Sequence, residues 1–403
     1  MRLQLLRLKR LLEEVNVMTV VYSIIQFLFW FSYGAVVNFS SVYLLQCGLS
    51  NTSIGIVSSV ACALSVVVQP ILASYADRDN SISLKAILLC MCMSLLGFGG
   101  ILFLFYGKGI YINGIILGCA ILIVQTSLPF FNALATEMIN AGKNINFSIS
   151  RGIGSIGYAV MSFSVGKLTA AYGAGTLPCV VIGSTVLLIV ALFLFPFEKE
   201  KHSRQGPKSE LSLIAFAQRY PAFCVILAGC VLIYTSHVLI NNFVYQIITY
   251  KGGTSEHMGI VMALAGILEI ISMFMFSKLL KWKDCSFWFR ISGIFFTLKA
   301  LGTLLADSIG SLYIVQILQP MGWGLMTVSS VYFVNMLMEE RDTIKGQAYM
   351  TMSLSVGTII GSLIGGWLID MTGIPGMLSA AVICGTAGTC IVMYMTRRTI
   401  HMK

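Results

Sequence analysis

Long apolar runs separated by short polar breaks make up almost the whole chain. Runs of roughly 20 residues, enough for a helix to cross a hydrocarbon core of about 30 Å, recur from one end to the other. Twelve can be marked, at 18–46, 52–76, 83–106, 110–138, 146–171, 175–197, 221–249, 256–280, 285–306, 310–338, 346–371 and 375–396. A transmembrane β-barrel would instead alternate apolar with polar residues, whereas Val180 to Phe197 is apolar on nearly every face. The pattern predicts an all-α membrane protein of twelve transmembrane helices. Its longest polar stretch, Glu198 to Glu210, divides the chain into a six-helix bundle at 18–197, a cytoplasmic linker at 198–220 and a second six-helix bundle at 221–396. Tails at 1–17 and 397–403 flank them, and the linker reads as a flexible tether.

The two halves resemble each other. Gly157, Gly166 and Gly173 recur as Gly357, Gly366 and Gly373, each 200 residues further on. The segment GIVSSVACAL from Gly55 pairs with GIVMALAGIL from Gly259, at a shift of 204. Two matches in equivalent helices at nearly one shift imply a duplication. A pair of bundles related by an axis along the membrane normal is a transporter architecture, with solute bound near the midplane between repeats.

Composition agrees: 57% of the 403 residues are apolar, 10% are charged, and the mean hydropathy is +0.87. The formal charge of +10 would suggest nucleic acid in a water-soluble protein, so the placement of the basic residues matters. With a cytoplasmic N-terminus, 22 of the 26 Lys and Arg fall in the tails, the even-numbered loops and the adjoining helix ends. Only Lys108, Lys167 and Lys251 lie outside, and Lys299 falls within a helix. This is the positive-inside asymmetry; it predicts a multi-pass plasma (inner) membrane protein with both termini cytoplasmic, and no nucleic-acid partner. The first fifteen residues mix Leu with Arg2, Arg7, Lys9 and Arg10 and read as an interfacial amphipathic helix or a plain basic tail rather than a secretory signal. Eleven scattered cysteines form no CxxC pair, so neither disulfide nor metal is expected. Intramembrane enzyme motifs and an ATP-binding loop are lacking as well, and no cofactor is expected.

Of the sixteen acidic residues, Glu269 alone lies well inside a span. A carboxylate at the bilayer centre costs roughly 2.5–3.5 kcal/mol on insertion scales, so it must be protonated, paired or beside water. The reading preferred is a proton-coupling group that binds and releases a proton as the bundles rock; the structural alternative is a permanently paired helix-packing residue. His237 shares a helix face with Asn241, next to Asn242, and could bind solute or relay protons. Lys299 is expected to snorkel toward the outer surface. Aromatic and amide side chains at depth, Trp30, Tyr33, Asn38, Gln125, Asn132, Tyr234, Gln316, Gln319 and Trp323, complete the candidate solute site, although any one of them more often packs than binds. The string Gly152-Ile153-Gly154-Ser155-Ile156-Gly157 fits G-x-G-x-x-G but lacks the strand a dinucleotide site needs; close helix packing explains it, as it explains the ridge Gly357, Gly361 and Gly365.

Three stretches carry a family resemblance. They are Ser50 to Arg78 with its Gln69-Pro70 step and terminal Asp77-Arg78, Asn146 to Tyr158, and Thr235-Ser236-His237 together with Gly266-Ile267-Leu268-Glu269-Ile270. In these the chain resembles the major facilitator superfamily, in the branch of lactose-permease-like and phenylpropionate-permease-like proteins. The resemblance implies the major facilitator fold, sugar-type binding by Arg151, aromatic stacking by Tyr158 and a gating role for Asp77 and Arg78. The acidic partner that the branch gives this arginine reads Ala133 here, and the branch's proton-coupling positions on the tenth helix read Leu318 and Met321.

The expected function is secondary active transport by alternating access: proton-coupled symport of a small polar or aromatic organic solute such as an oligosaccharide, nucleoside or aromatic acid, by a protein working as a monomer in the bilayer. Alternatives are a proton-driven antiporter exporting sugars or lipophilic compounds and, in another class, a non-transporting receptor or embedded enzyme.

Overall fold

The computed structural model describes residues 17–76, 82–197 and 212–401, all helical or irregular, with no strand among them. The first half contains α1 (Val17–Asn38), the short α2 (Ser40–Gln46), α3 (Asn51–Ala76), α4 (Leu84–Phe105), α5 (Ile110–Asn140), α6 (Phe147–Tyr172) and α7 (Leu177–Leu194). The second contains α8 (Leu213–Arg219), α9 (Pro221–Asn241), α10 (Val244–Tyr250), α11 (Ser255–Leu279), α12 (Cys285–Leu305), α13 (Ile309–Val315), α14 (Leu325–Leu337) and α15 (Glu340–His401). Polar residues start the helices as local chemistry requires: the side chains of Ser83, Asn146 and Asp284 accept from the backbone N–H three residues on, at 3.2, 3.1 and 3.0 Å.

Among the described residues, nine helices are long and apolar enough to cross a membrane. Three departures from simple apolar rods bear on that number. The helix α6 is rich in Ser and Gly and carries Arg151 and Lys167. Between α13 and α14 the chain makes a 3-10 turn at Gln316–Leu318 and a wider π turn at Pro320–Gly324. Finally, α15 is interrupted at Gly373, whose φ of 74° only glycine adopts readily, two residues before Pro375.

The linker holds a further difference from expectation. Its last residues form α8 and dock on the second half rather than hanging free. Phe216 is buried against Tyr349, Arg219 pairs with Glu339 and lies 3.6 Å from Asp342, and the Tyr220 hydroxyl donates to Asp342 at 2.9 Å. The amphipathic reading of residues 1–16 lies outside the described residues, as do Asp77 and Arg78.

The repeated glycines are contact points. A Cβ on Gly157 would strike the Phe27 carbonyl of α1, and one on Gly357 would lie 3.0 Å from the Val231 carbonyl of α9. Each thus lets two helices within one half approach backbone to backbone. Four other matched glycines, Gly55, Gly166, Gly259 and Gly366, work between the halves. A side chain on Gly55 of α3 would strike Ser362, and one on Gly366 would strike Asn51, so α3 and α15 touch there. In the same way a Cβ on Gly166 of α6 would lie 2.8 Å from the Ser255 carbonyl and 2.9 Å from Gly259 of α11. Small-residue contacts of this kind are how helices associate where lipid removes the hydrophobic drive.

Polar bonds finish the α3–α15 seam. The Asp370 carboxylate accepts from the Asn51 side chain at 2.8 Å and from the Thr52 N–H and hydroxyl at 2.7 and 2.6 Å, capping the start of α3 from the other half. Further along, the Ser59 hydroxyl donates to the Ile359 carbonyl at 2.9 Å. Beyond Ser65 no residue of α3 is buried, and the seam parts. The halves are therefore sealed at the end holding Asn51, Ser255 and Asp370 and separated toward the other.

Candidate functional site

Where the seam parts lies a cavity of about 340 Å³ with walls from both halves. From the first half come Trp30, Tyr33 and Asn38 of α1, Ser58 of α3, Gln125 of α5 and Arg151, Ser155 and Tyr158 of α6. The second half contributes His237 and Asn241 of α9, Asn242, Glu269 of α11, Gln319 and Trp323 of the broken stretch, and Thr358 of α15.

On the first wall the glycines of α6 make room for aromatic rings. Gly154 receives Trp30, whose Cδ1 lies 2.5 Å from where a Cβ would stand. The ring is held by its N–H, which donates to Gln26 at 3.1 Å. Over that ring, 4.1 Å from its centroid, sits the Arg151 guanidinium, which also donates to Ser155 at 3.1 Å. A cation in this position draws on the ring quadrupole and on one hydroxyl, leaving most of its five N–H groups for other partners. The Tyr158 hydroxyl accepts from the Asn38 amide at 2.6 Å, which frees its own proton to donate into the cavity. Gly266 of α11 gives the Tyr158 ring space, a Cβ there lying 3.0 Å from it.

The second wall is built on the π turn. By widening the helix at Pro320–Gly324, it lays the Trp323 ring on His237, centroids 4.6 Å apart and planes at 15°. Phe296 meets the imidazole edge-on at 5.3 Å, and the Asn241 amide lies 2.6 Å from its Nε2. The half-buried Glu269 faces Trp323 and feels the charge of Arg151 across the seam and that of Lys299 in its own half. Among the described residues it has no ion-pair partner in direct contact. The arginine whose expected acidic partner reads Ala133 thus finds a carboxylate on the opposite half.

Eleven of the sequence candidates meet in this one cavity: Trp30, Tyr33, Asn38, Gln125, Arg151, Tyr158, His237, Asn241, Glu269, Gln319 and Trp323. Three stand apart. Gln316 is buried outside the lining, and its amide donates to the Leu312 carbonyl one turn earlier at 3.2 Å. Asn132 of α5 is not part of the lining either, and its buried amide oxygen has no hydrogen-bond partner among the described residues. Tyr234 packs edge-on against Trp323 and Phe296, behind the lining.

Lys299 corrects the sequence reading. It does not snorkel to a surface: it is 3% exposed and donates to Gln319 at 2.6 Å. Depth along a helix is legible in a sequence, but the direction in which a side chain leaves it is not, and this one turns inward. Ser58, Ser155 and Thr358 were not singled out, since small hydroxyl residues at depth also bond their own helix and carry no distinguishing signal.

No curated protein matches the sequence significantly. Among solved structures the chain is similar to the nucleoside transporter NupG in two crystal structures, with TM-scores of 0.81 and 0.78 at 16% identity, covering 94% of this chain and 98% of that one. It is also similar to a D-xylose-proton symporter, with TM-score 0.63, 14% identity and coverage of 94% and 96%. A third is an auto-inhibited peptide transporter of the POT family, with TM-score 0.71, 10% identity and coverage of 94% and 96%. At these identities the likeness is one of fold. A family model, described as the MFS_1 like family, matches residues 19–377. The chain is therefore a multi-pass integral membrane transporter belonging to the MFS_1 like family of the major facilitator type.

Proposed function

We propose that the protein is a proton-coupled symporter that carries a small polar organic solute with an aromatic or sugar ring through the cavity between its halves. The observation that carries this reading is the juxtaposition of Arg151 and Glu269 on opposite halves of one aromatic-lined cavity. A carboxylate there has two ways to be stable: it can bind a proton or be neutralised by the arginine across the seam. Rocking the halves changes the distance between the two groups, and so makes proton binding depend on which side the cavity faces. Rings suited to stacking line both walls, and amides surround them; the volume falls in the range of roughly 300–1,000 Å³ typical of small-molecule sites. That the similar structures include a nucleoside transporter and a D-xylose-proton symporter favours nucleosides or sugars over lipophilic compounds.

In this reading the membrane is crossed twelve times, six in each half. Helix α6, the stretch from α13 to α14, and the two parts of α15 on either side of Gly373 each count as crossings. Both termini face the cytoplasm of a plasma membrane, by the placement of 22 of 26 basic residues, and the sealed end faces outward. The conformation is then open inward. Each half supplies part of a single cavity within one chain, so a monomer embedded in lipid suffices for transport, and the family resemblance makes Asp77 and Arg78 the gating pair.

A counterflow screen of purified protein in liposomes, loaded in turn with uridine, D-xylose, lactose and 3-phenylpropionate, tests the reading. Exchange of at least one of them, lost in Arg151→Ala, is expected. Exchange of none of them would remove it.

A further inference from the structure

Lys299 is a buried cation with no carboxylate in contact among the described residues and no place in the cavity lining. Its ammonium can only donate, and among the described residues the one acceptor it reaches is the Gln319 side-chain oxygen, at 2.6 Å. Gln319 itself is 5% exposed and lines the cavity. With its oxygen committed to Lys299, the other end of the amide, the NH₂ group, has no hydrogen-bond partner on the protein among the described residues. A glutamine free to rotate would present either a donor or an acceptor at the wall. This one is held as a donor.

We infer that Lys299 is a positioning residue that fixes the Gln319 amide with its N–H pair toward the cavity, so that this wall selects a solute carrying a hydrogen-bond acceptor, a carbonyl, ether, hydroxyl or carboxylate oxygen. The inference rests on the transport reading above and deepens it. Three features make the arrangement consequential. The lysine's charge polarises the amide it bonds and strengthens the donor at its far end. The contact is out of water, so it is neither screened nor exchanged for solvent. Burying an ammonium without an anion in contact works against stability, so the contact is poorly explained as a packing device. The Gln319 amide lines the same cavity as the His237–Trp323 stack of its own half and as Arg151 and Tyr158, donors from the other half.

The test uses liposomes containing the full chain, with radiolabelled uridine and D-xylose as probes, both rich in acceptor oxygens. Lys299→Met should raise the KM of the transported probe about tenfold and leave the maximal rate within about twofold, because the lost contact acts in binding. An unbranched apolar side chain in place of a buried cation should fold at least as well, which size-exclusion chromatography and thermal unfolding check. Gln319→Leu should raise KM to a similar degree. The double variant should be no worse than either single one, since both act through the same hydrogen bond. Lys299→Arg, which also only donates, should recover most of the affinity. An unchanged KM in Lys299→Met, or a double variant whose loss is the product of the two single losses, overturns the inference while leaving the transporter reading intact. A wild-type protein that carries neither probe removes the nucleoside-or-sugar reading, and this inference with it.

Discussion

At the scale of single residues, Arg151 combines a ring, a hydroxyl and a distant carboxylate, and it does so with the planar fork that lysine lacks. Arg151→Lys keeps the charge but not the stacking on Trp30, and should reduce the apparent affinity for solute about tenfold, read as KM in uptake assays. His237 serves through its face. Trp323→Leu removes the ring that lies on it and should weaken binding of ring-bearing solutes by roughly 1 kcal/mol, about fivefold, measured by competition against a labelled solute. Much of this site was legible. An acid and a histidine inside apolar runs have no cheap structural reason to be there, so Glu269 and His237 stood out in one dimension, whereas Arg151 was reached only through the family resemblance. Gln316 and Gln319 did not separate, because they are two amides one turn apart at similar depth, and only their contacts in the fold, the Leu312 carbonyl for one and Lys299 for the other, tell them apart. Lys299 was misread for a related reason: the sequence gives how deep it lies and is silent on which neighbour it turns toward.

Elements explain why the cavity is closed at one end. The α3–α15 seam joins a backbone contact at Gly55 and Gly366 to the Asp370 cap, whereas the α6–α11 seam has its glycine contact and an exposed Lys167–Glu256 pair at 3.8 Å. The charged cap is the stronger restraint, an exposed ion pair contributing little. Cys62 lies buried on that first seam, its sulfur 3.9 Å from the Ser355 carbonyl. Asp370→Ala should therefore speed alkylation of Cys62 by a membrane-impermeant thiol reagent added at the sealed end. The expected gain is roughly fivefold, about 1 kcal/mol of lost closure, read peptide by peptide in a mass spectrometer. Gly166→Leu should have a larger effect, because the added side chain meets backbone that cannot move aside. The glycine repeat was visible in the sequence as a shift of 200 residues. Its purpose was not, since Gly55 touches Gly366 and Gly166 touches Gly259, partners that lie at other separations altogether. The helical runs themselves were plain, because lipid forces each to be apolar over its full length. The docked α8 was missed: its seven residues read only as part of a charged linker.

For the whole molecule, two halves that touch at one end and part at the other describe one state of a transporter. Alternating access requires the same halves to part at the seam of Asp370 and meet at the far ends of α3 and α6, with the cavity exposed first to one side and then to the other. Coupling to protons enters if Glu269 must be neutral for the empty or the loaded cavity to change sides. That requirement separates two activities that share every solute contact. Exchange of solute down no gradient needs only the loaded cavity to reorient, whereas accumulation against a gradient needs the proton to be carried. The most direct test is therefore Glu269→Gln in liposomes, comparing solute counterflow at equal pH with accumulation driven by an imposed pH gradient. The account predicts that counterflow persists in the variant while gradient-driven accumulation falls to the level of protein-free liposomes. Accumulation at the wild-type level in Glu269→Gln would contradict it.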